Sequence, residues 1–279
     1  MHPLERSIIH LNIADFAVAV ERIKDPLLSK KPLIIAPFGN SRTMVYDMSE
    51  EAFQAGVRKG MKLQTAKRLC RDATIKPPQF SLYRRAMSAF FKEATSYTPL
   101  IEQGNDDGHI FLDITGTHKL FGPPPDIGYR LQKEVRNRLS LNPIWTLATN
   151  KLTAKVASRL VKPFGEYIVE AGDEQNFLAP LPIAILPELT AGEKATMYDY
   201  NVIRVSQLAS LSRQQLMIPF GKRAGIIHEL AKGIDRQQIT SFKKKEKQLN
   251  REHLFPEDTN NLRNVEGAVA LEAARLGAI

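Results

Sequence analysis

Cysteine occurs once in this chain, at Cys70, and tryptophan once. A single thiol excludes an internal disulfide framework and leaves no CxxC pair to hold a metal. It falls in a stretch of helical pattern, QTAKRLCRDA, where a buried and unreactive thiol is expected. Long apolar runs are missing too. The best candidate, Ile8, Ile9, Leu11 and Ile13, is interrupted by Asn12 and Asp15 and falls far short of the roughly 20 residues that span a bilayer. The N-terminus lacks a cationic segment followed by an apolar core and a cleavage site, so a cytoplasmic protein is expected. The six histidines (2, 10, 109, 118, 228 and 253) are scattered without ligand spacing, which argues against zinc.

The chain has enough apolar material for real cores, 43% of its 279 residues, which argues against disorder. That length suits two or three units better than one. Lys and Arg number 39 against 30 Asp and Glu, for a net charge of +9. A balance this basic suggests a polyanionic partner, nucleic acid before membrane, because no basic helix with an aromatic face stands out.

The opening stretch SIIHLNIADFAVAVE (7–21) reads as a buried strand ending near Ala14, with Asp15 placed to cap a helix through Glu21. LIIAPF (33–38) and RTMVYDM (42–48) read as a strand pair, followed by short helices that stop before Pro77-Pro78. An amphipathic helix follows from about Phe80 to Thr95, its stripe of Tyr83, Ala86, Met87, Phe90 and Phe91 explained by core packing. LIEQ (100–103) and HIFLDITG (109–116) form two strands joined by GNDDG, and alternation puts His109, Phe111 and Asp113 on one face. FGPPP precedes a helix DIGYRLQKEVRNRL; IWTLAT (144–149) is another strand and NKLTAKVASRLVK (150–162) a basic helix. Such mixing of strands and helices indicates an α+β fold. From Ala179 onward the pattern is short helices, then a charged tether SFKKKEKQ and a last helical stretch that stops at Ile279, which reads as a truncated product or fragment.

Several of these segments resemble the Y-family (UmuC/DinB-like) translesion DNA polymerases. The opening strand and helix, "GVRKGM" with the following Ala and Cys70, "FLDITG", and above all "TNKLTAKVAS" with "KP.G" (149–165) carry the likeness. The resemblance implies a palm at 1–22 and 80–170, a fingers insertion at 23–79 and a helical thumb with helix-hairpin-helix at 171–240. It further implies a basic linker at 241–248 and the start of a little finger at 249–279. In the thumb the first hairpin lacks its usual glycine, since Glu188 and Leu189 follow Pro187.

The family holds two magnesium ions on an Asp of the first strand and an Asp-Glu pair entering a later one. By resemblance those positions fall on Asn12, Gly108 and His109, and none is a carboxylate. Magnesium strongly prefers anionic oxygen. The triphosphate-binding Tyr and Arg fall on Glu50 and Phe53, and the aromatic sugar gate on Ala17; of the nucleotide set only Lys155 remains. Asp15, Asp106 and Asp107 are the acids from which a rebuilt site would have to come.

The reading expected from these losses is a catalytically inactive accessory factor of ImuB type in DNA damage tolerance, with no metal or other cofactor. The alternative is an active error-prone polymerase with a remodelled metal site, which would use magnesium. Either way DNA is the expected partner. Its contacts are expected at Lys151, Lys155, Arg159 and Lys162, spaced along one helical face, at Lys222 and Arg223 at a thumb turn, and at Lys243, Lys244, Lys245 and Lys247 in the linker. A partner polymerase, a RecA-type protein or a sliding clamp are further candidates.

Overall fold

The protein is described by a computed structural model covering residues 5–38, 42–241, 253, 255 and 259–277. In chain order the elements begin with β1 (Ile8–Asn12), α1 (Phe16–Lys24), β2 (Leu33–Ile35), β3 (Asp47–Met48), α2 (Glu50–Gln54), α3 (Leu63–Leu69) and β4 (Thr74–Lys76). There follow α4 (Phe80–Ala94), β5 (Ile101–Gln103), β6 (His109–Asp113), α5 (His118–Phe121), α6 (Pro124–Leu139), β7 (Ile144–Ala148), α7 (Lys151–Leu160) and β8 (Glu166–Ile168). The rest is helical: α8 (Glu174–Leu178), α9 (Ala191–Asp199), α10 (Val205–Ser210), α11 (Arg213–Phe220), α12 (Ala224–Ala231) and α13 (Leu262–Gly277). The chain divides into two units, one of residues 1–24 and 79–241, the other of residues 25–78 and 242–279.

In the first unit β1 is the middle strand of a five-stranded sheet, ordered β5-β6-β1-β7-β8. Every residue of β1 is buried, as expected of a central strand covered on both faces. It runs antiparallel to β6 and β7, whereas β8 runs parallel to β7. The register sets Ile8, His10 and Asn12 opposite Asp113, Phe111 and His109. Because side chains alternate, His10 and Asn12 share a face with His109 and Phe111, while Ile9 and Leu11 belong to the other face. On that other side α6 packs closely against the sheet: a Cβ at Gly128 would lie 2.4 Å from the Trp145 ring, so only glycine allows this approach. On the His10 side α7 is held down by Thr146, whose hydroxyl donates to the Ala154 carbonyl (2.7 Å).

The helices α8 to α12 share an apolar core with α7, including Val156, Leu178, Ile183, Leu208 and Ile227. Two capping boxes, Thr190 with Glu193 and Ser212 with Gln215, fix the starts of α9 and α11. After α12 the chain returns across the sheet. Asn150 donates to the Gly233 carbonyl (2.9 Å), the Leu152 amide to the Asp235 carboxylate (3.1 Å), and Arg6 to the Gln237 carbonyl (2.8 Å). Ile239 packs on Ile8 and Phe111, and the Thr240 amide donates to Glu102 (3.1 Å).

The second unit holds a small sheet ordered β3-β2-β4 over a core of Ile34, Val45, Met48, Ala52, Val57, Ala66 and Cys70. The Cys70 thiol is raised above its ordinary pKa by burial and then by Asp72, in keeping with an inert cysteine. Helix α13 has no buried residue.

Several sequence expectations need correction. β1 ends at Asn12 rather than near Ala14; Asp15, directly before α1, takes the N-cap position, its carbonyl accepting from Ala19 N–H (2.8 Å), but with φ 48° in place of the extended backbone usual there. The residues before Pro77 form strand β4, paired parallel with β2, a non-local pairing invisible in so short a run. Pro124 and Pro125 open α6 instead of preceding it, because proline needs no donor in a first turn. α7 stops at Leu160, so Lys162 lies beyond the helix that was expected to carry it. The linker lysines 243, 244, 245 and 247 lie outside the described residues.

Candidate functional site

The three positions that the resemblance assigns to metal, Asn12, Gly108 and His109, lie together where β1 and β6 begin to part. Asn12 and His109 are directly paired, and the Ile13 amide donates to the Gly108 carbonyl (2.9 Å). Gly108 has φ +81°, and a Cβ there would lie 2.9 Å from both the Ile13 carbonyl oxygen and Phe16 Cβ. A side chain at this position would therefore have to displace the Ile13 carbonyl or Phe16. Asn12 is 1% exposed, and among the described residues neither its amide oxygen nor its nitrogen has a hydrogen-bond partner. An unsatisfied buried polar group costs about 1–3 kcal/mol. The site holds two such atoms on one side chain.

Beside Asn12 stands a pair that sequence reasoning missed. His10 Nε2 and His109 Nδ1 are 3.0 Å apart, with ring planes within 9° and centroids 5.2 Å apart, so one N–H···N bond joins the two imidazoles. Phe111 stacks on His10 at 4.3 Å. His10 Nδ1 has no hydrogen-bond partner among the described residues. Burial, then the nearby His109, Lys155, Lys162 and Arg159, push the His10 pKa well below the usual histidine range, so the ring is neutral. The leading electrostatic influences on His10 are all of one sign. Period-two alternation along β1 puts His10 and Asn12 on a common face, but the link to His109 spans 99 residues and only strand pairing reveals it.

A magnesium pair does not fit these three positions. Asn12 offers a neutral amide, Gly108 no side chain, and His109 an imidazole already bonded to His10, where magnesium wants anionic oxygen. The acids nearby are otherwise engaged. Asp106 accepts from Gln103 (3.1 Å) and faces Arg84 at 3.8 Å, and Asp107 accepts from the His109 amide (3.3 Å). Asp15 is half-buried at the end of β1. Asp113 takes a structural part, accepting from the Thr115 amide (3.0 Å) and facing Arg6 (3.6 Å). Among the described residues no three His, Cys, Asp or Glu side chains gather as a metal site.

Of the nucleotide positions, Ala17 is buried. Glu50 opens α2, where the helix dipole favours its charge, and accepts from Gln54 (3.1 Å). Phe53 is half exposed and carries the Arg58 guanidinium 3.9 Å above its ring, so a cation does lie at this position although the sequence placed none there. Both residues belong to the second unit.

The basic residues divide by what they already hold. Lys151 is paired with Glu102 at 2.6 Å. Burial alone would raise the Glu102 pKa, but the hydrogen bonds from Lys151 and Thr240 hold it below the usual carboxylate value. Arg159 donates to the Ile185 carbonyl (2.6 Å). Arg223 donates to Glu193 (2.8 Å) and to the Glu188 carbonyl (2.9 Å), in the turn where the expected hairpin glycine is missing. Lys155 is half-buried and its ammonium has no hydrogen bond or ion pair among the described residues, whereas Lys162 and Lys222 are exposed.

Comparison with known proteins now bears on this geometry. The family model described as "IMS: impB/mucB/samB family" matches residues 11–159. A protein of Dehalococcoides mccartyi named DNA polymerase IV is 30% identical over 257 residues, covering 92% of this chain and 65% of its own length. One of Alkalilimnicola ehrlichii with the same name is 30% identical over 260 residues, covering 92% of this chain and 72% of its own. The chain thus spans about two thirds of such relatives. Among solved structures, that of DinB from Sulfolobus solfataricus superposes with a TM-score of 0.74 at 21% identity, covering 81% of this chain and 66% of that one. The insertion ternary complex of Dbh DNA polymerase gives a TM-score of 0.75 at 21% identity, covering 84% and 69%. These likenesses give the α+β polymerase fold. The relatives' names overturn the expected reading as an inactive accessory factor and favour its alternative, a polymerase. Among the described residues no helix is long and apolar enough to cross a membrane. With a family model covering more than half its length and relatives at 30% identity along most of it, the chain belongs to the impB/mucB/samB family, within the Y-family (UmuC/DinB-like) polymerase superfamily.

Proposed function

We propose that this chain acts in translesion DNA synthesis as a template-directed DNA polymerase whose metal centre departs from the family's. The observation that carries the reading is the likeness to proteins named DNA polymerase IV along 92% of the chain. The polymerase fold and the net charge of +9 support it, since a primer–template duplex is the polyanion such a fold grips. On this reading the cofactor is magnesium. Asn12, Gly108 and His109 do not suit the ion, and Asp15, Asp106 and Asp107 do not gather as a metal site among the described residues, so these three would have to be brought together to hold it. The chain's own part is then to bind the duplex through Lys155, Lys162, Lys222 and the linker lysines, and to keep water from the buried face around Asn12.

Primer extension on a defined template, with magnesium or manganese, tests the proposal. Template-directed incorporation that disappears in Asp107→Ala is the expected result. Absence of incorporation with either metal, from protein that still binds the duplex in fluorescence anisotropy, refutes it.

A further inference from the structure

The two edges of the five-stranded sheet differ. At β5 the Glu102 side chain is tied to Lys151 and to Thr240 of the returning chain. At β8 no strand pairs along the outer side among the described residues. The Val169 amide donates to the Leu147 carbonyl (2.9 Å), and Ile168 lies level with Leu147. Bonding directions alternate along a strand, so Tyr167 and Val169 turn their backbone groups to β7. Glu166 and Ile168 turn theirs outward, an N–H and a C=O each, with no hydrogen-bond partner among the described residues. Proteins commonly blunt such an edge with lysine, proline or a covering loop. β8 instead leaves Tyr167 40% and Ile168 37% exposed, and Phe164 just before it 73% exposed. Tyr167 shares the face of Thr146 and His10 and leans on Phe177 with ring centroids 5.3 Å apart, while Glu166 and Ile168 belong to the other face.

Charge beside this edge runs against that of the chain. Residues 162–173 hold one cation, Lys162, against Glu166, Glu170 and Asp173, in a chain of net charge +9. These acids repel phosphate, and a second copy pairing through the same strand would set like charges beside one another. A basic segment is attracted instead.

We infer that β8 is a docking edge that takes an extended, basic segment of a partner protein as a further strand of the sheet. Cations of that segment stand beside Glu166 and Glu170 on one face, an apolar residue covers Tyr167 on the other, and its backbone bonds to Glu166 and Ile168. The inference goes beyond the polymerase reading and does not depend on it, since no residue of β8 was assigned to metal, nucleotide or DNA.

The test uses the whole chain and, as probe, a capped, labelled peptide of about six residues, the usual length of a strand, in which Lys alternates with Val. Fluorescence anisotropy is expected to give saturable binding, weakened about tenfold by Glu166→Lys and by Ile168→Pro. The proline removes only an outward N–H, because the bonds to β7 rest on Tyr167 and Val169. Should Ile168→Pro fail to fold, two N-methylated peptides decide in its place. Methyl groups on the Lys amides and on the Val amides block opposite edges of the peptide, so one set is expected to abolish binding and the other to spare it. Absence of saturable binding overturns the proposal. Equal binding of the two methylated peptides, which is charge attraction alone, overturns it too, as does displacement of the peptide by a primer–template duplex. A parent that sediments as a dimer and becomes monomeric with Ile168→Pro makes β8 an interface between copies, again against the proposal. Primer extension plays no part in this test, so the polymerase reading stands or falls separately.

Discussion

Substituting Gly108 tests whether the closed backbone at the family's carboxylate position is a structural commitment. Gly108→Ala must adopt φ +81°, which costs an L-residue about 1–2 kcal/mol. Its Cβ must also displace the Ile13 carbonyl or Phe16, both 2.9 Å away. Backbone is among the two, so the strain is not relieved by swinging a flexible side chain, and overpacking of this kind costs about 1–3 kcal/mol more. The total is about 2–5 kcal/mol. Gly172 provides the control: its φ is +86°, but no atom lies within 4 Å of a Cβ there. Gly172→Ala should therefore lose only the conformational part, about 1–2 kcal/mol. Urea denaturation reads both variants as shifts of the midpoint at unchanged slope. A larger shift for Gly108→Ala is expected. Equal shifts for the two variants would mean that the turn relaxes freely, and the view of a closed site would fall. Gly108→Asp places a carboxylate where the resemblance expects one and tolerates the positive φ better than Ala, as Asp106 does at φ 51°. The same Cβ contact should nevertheless keep it clearly less stable than the parent.

Two further outcomes concern the charged residues. Hydrogen bonding from Arg223 lowers the Glu193 pKa, with burial opposing it. A depressed carboxylate stabilises the fold above its unfolded pKa and loses that contribution as pH falls through the folded value, so the deficit of Arg223→Ala measured at neutral pH should shrink below about pH 4 to the part due to the Glu188 carbonyl bond. Thermal melts of both proteins across that range check it, and a deficit independent of pH would refute it. For DNA, Lys151→Ala should cost stability more than affinity because its ammonium is spent on Glu102. Lys155→Ala should lower affinity and reduce the salt slope by about 0.9, the release from one phosphate contact; identical slopes for the two variants in anisotropy would reverse the assignment.

What the sequence made legible was largely local. Ile8, Ile9 and Leu11 announce a buried strand by composition, and the stripe of Tyr83, Met87 and Phe90 announces α4, because both signals lie within one element. β4 escaped notice because Thr74, Ile75 and Lys76 are only half-buried, abut two prolines, and pair with a strand far away in sequence. β8 escaped for a related reason: all its residues are exposed, so no apolar pattern marks it. In the candidate site, the resemblance alone pointed to Asn12, Gly108 and His109, none of them a carboxylate. The His10–His109 bond and the closure at Gly108 could not, since the first depends on strand register and the second on a backbone angle. The division of the lysines and arginines into engaged and available groups also needed the structure, because spacing says which face a residue occupies and not what it meets there.

The return of residues 233–240 over the sheet bears on how this unit opens. Residue 8 enters the central strand, and Ile239, at the other end of the unit's chain, packs against it. Asn150, Leu152, Arg6 and Glu102 fasten the intervening backbone at successive points. A segment tied in this way cannot fray as a free tail does, because releasing it uncovers Ile8 and Phe111 and leaves Glu102 short of a partner. The helices α8 to α12 are thus enclosed between β8, a strand of the sheet, and residues 233–240, which are tied to the sheet's side, like a loop closed by a clasp. Amide exchange in these helices should therefore follow the exchange of β1, with sheet and helices melting as one cooperative body.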